Sequence, residues 1–193
     1  MKKLILLFSL LISPVSIFGQ DTWVEDPAHS KLGFTVTHLG IADVPGYFGD
    51  YEVTIKASEE DFSDAKVELT VQTASIETRV ERRNKHLKSA DFFDVEKYPT
   101  MTFKSTDIRE ISDNTYELAG DLTLHGVTEE VTVTMRYRGN VQNDMTDGAL
   151  KTGIQITGTI DRSAFDLGDG FPPPMISNEV HIKADGEFVI AGE

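Results

Sequence analysis

The chain has 193 residues, and its 18 lysines and arginines against 32 aspartates and glutamates give a formal net charge of −14 at pH 7. A protein this acidic is repelled by nucleic acid and by anionic lipid surfaces, so we expect no nucleic-acid partner. The absence of cysteine excludes disulfides and thiolate zinc sites, and we expect no acylated N-terminal cysteine as a membrane anchor.

The first twenty residues have the layout of a secretory signal peptide. Lys2 and Lys3 form a basic start, and the apolar run over 4–12 that follows is too short to span a bilayer. We predict a signal peptide over 1–20 and one domain over 21–193, a length suited to a single hydrophobic core. The predicted location is the periplasm, and secretion beyond it stays open because a signal reports export rather than a final address.

Beyond the signal, the dominant hydrophobic period is two, which indicates β-strands with one apolar face. Eight segments show this alternation: 31–37, 51–55, 65–71, 101–104, 116–124, 127–137, 150–160 and 180–190. Strands with a single apolar face are typical of antiparallel sheets, and closing such a sheet into a barrel hides its edges. The pattern therefore favours an all-β antiparallel barrel and leaves a two-sheet sandwich as the alternative. We interpret Val44-Pro45-Gly46 as a turn.

Two segments interrupt the strand period. The first, 78–94, is rich in Arg, Lys and Glu and lacks β-branched runs, which predicts a helical insertion with Val80, Arg83 and Leu87 on one face. The second, 161–178, contains three consecutive prolines and so is not a central strand. This second segment is too apolar for disorder, and we expect it to fold over one end of the sheet.

The adjacent residues Phe92 and Phe93 lie between charged groups in the predicted insertion. An eight-stranded barrel has an interior just wide enough to be filled by side chains or to hold one small ligand. The two rings would plug the core in the first case and cover a cavity in the second. The residues alone leave both roles open.

Five stretches of the chain resemble, in order, the motifs of the YceI-like family. They are DPAHSKLGFTVTHLG (26–40), VPGYFGDY (44–51), SIETRVERRNKHLKSADFFDVEKYPTMTFKS (75–105), GDLTLHGVTEEVTV (120–133) and DRSAFDL (161–167). The members of this family are exported bacterial proteins with a lipocalin-like barrel that binds polyisoprenoids. The resemblance implies an extended eight-stranded antiparallel lipocalin-like β-barrel with a short helical insertion and a long isoprenoid chain in its pore.

The chain departs from the family pattern at two positions. Asn84 stands where the family often has aspartate, and Asp166 stands where glycine commonly follows the phenylalanine of the Arg-Ser-X-Phe motif. The second departure concerns the backbone of the last long loop. The three prolines of that loop also affect one rim of the pore, so the length and head group of the ligand do not carry over from relatives.

Together, the strand faces and the resemblance give a set of candidate site residues. The apolar pore and its covers are predicted to consist of Leu32, Phe34, Val36, Phe48, Phe92, Phe93, Met101, Phe103, Leu122, Ile154, Ile156, Phe165, Phe171 and Met175. Polar contacts to a ligand head group are predicted for His38, Arg83 and His86. The basic cluster of Arg79, Arg82, Arg83, Lys85 and Lys88 either keeps the insertion soluble or attracts an anionic head group.

The motifs of common enzymes and metal sites are missing from the sequence. The five histidines show no i, i+4 pair of the metalloprotease type, and neither a nucleophile elbow nor a phosphate-cradling glycine loop occurs. We therefore expect no catalysis, no metal and no cofactor, only a bound isoprenoid lipid. For His29, His38 and His125 a structural hydrogen-bonding role is the alternative to a ligand contact.

The leading hypothesis is a soluble exported protein that holds a polyprenyl or quinone-like chain for transport, storage or sequestration, with transient membrane contact for loading. The alternative is a secreted stress or interaction protein whose barrel is filled by side chains and has no physiological lipid. An isoprenoid-modifying enzyme is the least favoured hypothesis. A homodimer is left open. Replacing Phe92 and Phe93 by serine is expected to abolish lipid retention with the fold intact.

Overall fold

The computed structural model describes residues 20–146 and 148–192, and most of that chain is β-strand. The strands are β1 (Asp21–Glu25), β2 (Lys31–His38), β3 (Ala42–Phe48), β4 (Tyr51–Ala57), β5 (Lys66–Gln72), β6 (Ile76–Glu77), β7 (Thr100–Ser112), β8 (Thr115–Leu124), β9 (Val127–Val141), β10 (Lys151–Asp161) and β11 (Ile176–Ile190). The helical elements are the α-helix α1 (Glu81–Leu87) and the 3-10 helices Thr73–Ser75, Asp144–Thr146 and Arg162–Phe165. The predicted signal peptide lies outside the described residues, apart from Gln20.

Eight strands close into an antiparallel ring. Their order is β1-β4-β5-β7-β8-β9-β10-β11, and β11 pairs again with β1. Beside this ring, β2 pairs with the first part of β11, β3 pairs with β2, and β6 pairs with the end of β3. The chain therefore forms the predicted eight-stranded barrel, and the two-sheet sandwich is excluded. Closing the barrel pairs the backbone N–H and C=O groups that the edge strands of an open sheet would expose.

Three walls of the barrel are each built from two strands that lie end to end. They are β1 with β2, β4 with β3, and β5 with β6, because β1 and β2 share the partner β11 while β4 and β3 pair with β1 and β2. The longest uninterrupted pairing is β10 with β11, which runs in register from Lys151 opposite Val189 to Asp161 opposite Glu179. The unbroken walls of β7 to β11 thus define the length of the barrel.

The strand β3 corrects the prediction of a turn at Val44-Pro45-Gly46. Pro45 lies in register with Thr35 of β2, and on its other side β6 pairs only with Tyr47 and Phe48. Proline is tolerated because this part of β3 forms a ladder on one side only. Gly46 leaves room for the Phe34 ring, because a Cβ at this position would lie 2.3 Å from that ring and would displace it.

The insertion between β6 and β7, residues 78–99, contains less helix than predicted. The helix α1 ends at Leu87, and hydrogen-bonded turns follow it, including one from Phe93 N–H to the Leu87 carbonyl at 3.0 Å. Val80, predicted to share a helix face with Arg83 and Leu87, precedes the first turn of α1 and is 46% exposed, whereas Asn84 is buried. The amide of Asn84 has partners for both of its polar atoms, so its burial leaves no polar group unsatisfied.

Those partners fasten the insertion to the barrel. Asn84 Oδ1 accepts hydrogen bonds from the backbone N–H and the Oγ1 of Thr78 at 2.8 and 2.7 Å. Asn84 Nδ2 donates to Glu77 Oε2 at 2.9 Å, and Glu77 belongs to β6. The helix is therefore held by a polar anchor rather than by an apolar stripe.

The end of the barrel opposite the insertion is filled by aromatic side chains. The Phe62 ring lies 5.2 Å from the Trp23 ring and 5.4 Å from the Tyr137 ring, measured between centroids. The Tyr116 hydroxyl donates to the Asp61 carbonyl at 3.0 Å, and burial raises the pKa of Tyr116 to about 12. We call Trp23, Phe62, Tyr116 and Tyr137 the plug, and we call this end of the barrel the far end.

The helices of the described chain are short. None of those within residues 20–146 and 148–192 has both the length and the hydropathy that crossing a membrane requires.

Candidate ligand-binding cavity

A cavity of about 550 Å³ occupies the barrel between the plug and the insertion. This volume is within the range of small-molecule binding sites. The wall consists almost entirely of the inward-facing aliphatic and aromatic side chains of the strands. Besides the predicted residues, its apolar members include Val44, Val53, Ile55, Val67, Leu69, Ile76, Leu87, Leu118, Leu124, Val131, Val133, Met135, Ile160, Leu167, Ile176, Val180, Ile182, Ala184 and Phe188.

Of the seventeen residues predicted for the pore, its covers and its polar contacts, sixteen line this cavity. They are Leu32, Phe34, Val36, His38, Phe48, Arg83, His86, Phe92, Phe93, Met101, Phe103, Leu122, Ile154, Ile156, Phe171 and Met175. Phe165, predicted as a cover, does not line it. Phe165 is buried within the core, and its carbonyl lies 3.2 Å from His125 Nδ1.

Aromatic side chains from two separate segments close the insertion end of the cavity. The Phe92 ring stacks on the Phe171 ring, with centroids 4.9 Å apart and planes inclined by 18°. Phe93 packs edge-on against Phe48 of β3 with centroids 5.7 Å apart. Phe92 and Phe93 are 5% and 8% exposed and both line the cavity. We call Phe92, Phe93 and Phe171 the lid, and this end of the barrel the lid end.

Two further residues fix the lid in place. The His86 ring lies edge-on to the Phe92 ring and to the Phe171 ring, at centroid distances of 5.1 and 5.2 Å. Gly168 has a φ of +72°, and a Cβ at this position would lie 2.5 Å from the Phe92 ring. Only glycine provides both this backbone conformation and the space for the ring.

Arg162 holds the segment between β10 and β11, residues 162–175, which we call the long loop. Its side chain is 4% exposed, lines the cavity, and donates five hydrogen bonds to backbone carbonyls. The acceptors are the carbonyl oxygens of Ser177 at 2.9 Å, Leu167 at 2.6 Å, Gly168 at 2.9 Å, Phe171 at 2.7 Å and Ile176 at 3.1 Å. Burial lowers the pKa of the Arg162 guanidinium, an effect that Asp169 and Asp161 oppose.

Sequence reasoning did not assign Arg162 any role. The available signal was a single arginine beside a long apolar stretch without regular structure. A buried loop of that kind contains carbonyl groups that need donors, and arginine offers five N–H groups in a rigid fork. The long loop thus keeps the conformation that places Phe171 over the cavity.

Polar groups gather at the lid end. Arg83 Nε and Nη2 donate to the Oγ1 and the carbonyl of Thr78 at 2.8 and 2.7 Å, and His86 Nε2 lies 3.0 Å from Asp91 Oδ2. Arg83 and His86 line the cavity and also border a shallow surface groove with Val80 and Arg82. The apolar cavity therefore continues outward into a cationic surface.

A second polar group lies at the break between β1 and β2. Asp26 and Glu187 flank Lys151, whose Nζ is 2.8 Å from Asp26 Oδ2 and 3.3 Å from Glu187 Oε2. Hydrogen bonds from Lys151 and His29 hold the pKa of Asp26 well below its usual range. Within the part of the chain that the structure describes, Asp26, His29 and Glu187 are close enough together to share a metal ion. Lys151 supplies the positive charge there, so the group is an ion-pair network.

A family model for the YceI-like domain matches residues 23–188. The chain belongs to the YceI-like family. It is 34% identical over 170 residues to the UPF0312 protein SA2479 of Staphylococcus aureus strain N315, an alignment that covers 86% of this chain and 96% of that protein.

Solved structures of other bacterial proteins share the fold. The crystal structure of BcnA from Burkholderia cenocepacia has a TM-score of 0.74 at 27% identity, covering 84% of this chain and 98% of that one. A polyisoprenoid binding domain from Saccharophagus degradans, implicated in plant cell wall breakdown, has a TM-score of 0.65 at 15% identity, with 89% and 99% covered. At that identity the likeness concerns the fold.

The two departures from the YceI-like pattern have structural explanations. Asp166 adopts the left-handed conformation, with φ 52° and ψ 30°, at the end of the 3-10 helix Arg162–Phe165. Aspartate tolerates this region better than most residues, so it replaces glycine without redirecting the loop. Asn84 provides an amide donor to Glu77 in addition to its acceptor oxygen, whereas an ionised aspartate has acceptors only.

Proposed function

We propose that this protein is an exported carrier that holds a long isoprenoid chain, polyprenyl or quinone-like, in its barrel cavity. The observation that carries the proposal is the cavity of about 550 Å³, which has an apolar wall and an aromatic lid. An apolar wall offers water almost no hydrogen-bond partners, and protein cavities lined by aliphatic and aromatic groups stay dry. It suits a hydrocarbon ligand.

The membrane is the competitor of the protein for such a ligand. Each methylene group removed from water contributes about 0.8 kcal/mol, so a long isoprenoid scarcely exists free in solution. Transfer from the bilayer core to an apolar cavity exchanges one hydrocarbon environment for another. The cavity therefore needs only to match lipid, and the lid must keep water from the chain after it has entered.

The head group of the ligand is proposed to lie at the lid end. His38, Arg83 and His86 line the cavity there, and Arg82 borders the adjoining groove. Two of the donors of Arg83 are engaged by Thr78, which fixes the guanidinium at the mouth. Guanidinium and imidazole groups suit a phosphate, a hydroxyl or a quinone oxygen.

Family membership supports a binding role. The YceI-like barrel is shared with a polyisoprenoid binding domain, and the cavity-lining side chains of Arg83, His86 and Arg162 are engaged in structural hydrogen bonds. We infer that the protein binds without catalysis, is released into the periplasm after removal of its signal, and contacts membranes briefly while loading.

The experiment is mass spectrometry of an organic extract of the purified protein, compared between two variants. Ala184→Phe places a ring into the cavity, which Ala184 lines. Ala119→Phe is the matched control, since Ala119 alternates with the cavity-lining Leu118 and faces outward. We expect a stoichiometric isoprenoid in the parent and in Ala119→Phe, and its loss in Ala184→Phe. Equal lipid in both variants contradicts the cavity as the binding site.

The plug favours a second candidate function. Protein atoms fill the far end of the barrel, contributed by Trp23, Phe62, Tyr116 and Tyr137. A secreted stress or interaction protein that binds no lipid would have its whole barrel filled in this way. A parent protein whose extract holds no lipid, and which takes up none from vesicles, would support this function instead.

A further inference from the structure

Exposed apolar side chains surround the lid end. Ile41 is 84% exposed, Leu39 51% and Met175 44%. The three are neighbours, because the Leu39 N–H donates to the Met175 carbonyl at 3.0 Å and Gly40 faces Pro174 of the same long loop. We call Leu39, Ile41 and Met175 the apolar rim. Met175 also lines the cavity, so the rim borders the cavity at the lid.

Leu39 occupies an unfavourable backbone conformation as well as an exposed position. Its φ is +54°, in the left-handed region that favours glycine, asparagine and aspartate. A large apolar residue in such a turn gives up backbone stability and places half of its side chain in water. Conformations of this kind cluster at functional sites, and here the half-exposed side chain lies beside the long loop at the lid end.

The insertion reverses the charge of the molecule locally. Residues 78–99 contain six Lys and Arg against four Asp and Glu, whereas the rest of 20–193 contains ten against 28. Arg79, Arg82 and Lys85 are exposed there, and contacts from His86 to Phe171 join the insertion to the long loop that bears the rim. The acidic residues at this end include Asp43, Glu77, Glu81, Asp91, Asp94, Glu96, Asp161, Asp166 and Asp169, of which Asp91 pairs with His86.

We propose that the lid end is a docking surface for an anionic lipid bilayer. The apolar rim enters the head-group layer, and Arg79, Arg82 and Lys85 lie against the lipid phosphates. This inference rests on the proposed carrier function, and it specifies the path by which the ligand enters the protein. The isoprenoid chain passes from the bilayer through the lid into the cavity without crossing bulk water.

The charge distribution and the position of the mouth select a bilayer as the partner. The acidic remainder of the chain is repelled by an anionic surface, whereas the exposed Arg79, Arg82 and Lys85 of the insertion are attracted to it, so the molecule is oriented on arrival. Each basic residue near an anionic bilayer strengthens the binding of the protein to it, and exposed apolar side chains that enter the head-group layer strengthen it further. At the same end the exposed Met175 lines the cavity beside the lid, a position that a surface for an unrelated protein partner would not require.

The test is sedimentation with phosphatidylglycerol–phosphatidylcholine vesicles at low and high salt. Arg82→Glu with Lys85→Glu should weaken binding by at least about tenfold. Lys56→Glu with Lys66→Glu is the matched control, because it makes the same change in net charge at exposed lysines on the wall of the barrel. The control should bind within about twofold of the parent. Equal losses in both double variants overturn the proposal, since they indicate an effect of net charge alone.

The apolar rim is tested in the same assay. Leu39→Asn with Ile41→Ser removes two rim side chains, and asparagine suits the left-handed turn at position 39. Val141→Ser with Met145→Ser removes two exposed apolar side chains, 49% and 88% exposed, at the far end. We expect several-fold weaker vesicle binding by the rim variant alone. Unchanged binding by the rim variant contradicts the proposal.

Lipid content, measured on the same preparations, separates this inference from the carrier function. A parent that carries an isoprenoid but binds no vesicles refutes the docking surface and leaves the carrier intact. A parent that binds vesicles through the lid end but neither carries nor takes up an isoprenoid supports the docking surface and refutes the carrier. Circular dichroism of each variant confirms that the barrel is folded.

Discussion

Arg162 is a buried cation whose partners are backbone carbonyls. Its five donors reach the carbonyl oxygens of Ser177, Leu167, Gly168, Phe171 and Ile176. Burying a guanidinium costs several kcal/mol unless every donor is engaged. The planar guanidinium engages all of its donors with carbonyl groups and needs no carboxylate partner. The same hydrogen bonds order the long loop, which forms no β-ladder.

Replacing Arg162 by lysine should destabilise the protein by about 2–4 kcal/mol. The ammonium keeps the charge, but its three donors cannot reach five carbonyls, and each unsatisfied buried group costs about 1–3 kcal/mol. Urea unfolding measures the loss. Arg138→Lys changes an exposed arginine and should stay within about 0.5 kcal/mol of the parent. Similar losses in the two variants would mean that the carbonyl cage does not order the long loop.

Asp26 is predicted to make the stability of the protein depend on pH. Its folded pKa lies below the unfolded value of about 3.9, because Lys151 and His29 donate to the carboxylate. A depressed pKa stabilises the fold above the unfolded value, and that contribution is lost as the pH falls through the folded value.

Asp26→Asn should therefore lower the free energy of unfolding by on the order of 1 kcal/mol at pH 7. The difference from the parent should shrink as the pH falls from about 5 toward 2. Urea unfolding over a series of pH values measures both effects. Asp121→Asn, at an exposed position on β8, is the control. A difference that stays constant with pH would show that the ion pairs are not its origin.

The strands were predicted where the apolar residues alternate, and β7 (Thr100–Ser112) was predicted only over 101–104. The predicted segments correspond to β2, β4, β5, β7, β8, β9, β10 and β11. The strand β6 has only two residues, the adjacent apolar residues Trp23 and Val24 give β1 no alternation, and Pro45 concealed β3. Whether proline breaks a strand depends on what lies beside it, and the neighbour of Pro45 is fixed only when the barrel closes.

Gly168 tests the contact between the long loop and the insertion. Gly168→Ala introduces a left-handed alanine and a Cβ 2.5 Å from the Phe92 ring. Gly148→Ala is the matched control, because its φ of +79° is similar but no heavy atom lies within 4 Å of the added Cβ. The control should lose about 1 kcal/mol, and Gly168→Ala a further 1–3 kcal/mol, roughly the cost of overpacking. Equal losses in urea unfolding would mean that the lid yields without resistance.

The burial of Phe92 and Phe93 changes what their removal is expected to do. Replacing both by serine was expected to leave the fold intact, but both belong to the hydrophobic core. Truncating a buried phenylalanine costs about 3–5 kcal/mol. The two rings cover the cavity and stabilise the fold at once, so both roles considered for them describe part of their function.

The barrel is filled at one end and hollow at the other. Inward-facing side chains of similar type produce the plug at the far end and the cavity beneath the lid. The difference comes from the β4–β5 loop, which brings Phe62 against Trp23 and Tyr137. Alternation along a strand shows that a side chain faces inward, and it does not show what that side chain meets across the barrel.

A bound ligand should raise the melting temperature of the protein. A long isoprenoid alcohol, supplied from detergent to delipidated protein at about 100 times its Kd, should stabilise the fold by about 2.7 kcal/mol. For a domain of this size the melting temperature should rise by roughly 5–10 °C. Calorimetry measures the shift. Ala184→Phe, with its cavity obstructed, should show none, and an equal shift in that variant would place the ligand elsewhere.

The strand period predicted the inward faces and the interruption by the insertion, and the motifs that resemble the YceI-like family added the eight-stranded barrel; sixteen of the predicted site residues line its interior. These properties follow from the period of the strands and from short motifs, which involve neighbours along the chain. Only the tertiary structure revealed the long-range contacts. These are the plug, the hydrogen bonds of Arg162 to five carbonyl groups, the stacking of Phe92 on Phe171, and the position of Phe165 outside the cavity. Each of these contacts joins segments that become neighbours only when the barrel closes. Alternation along a strand predicts which face a side chain lies on, but it does not predict which side chain it contacts across the barrel.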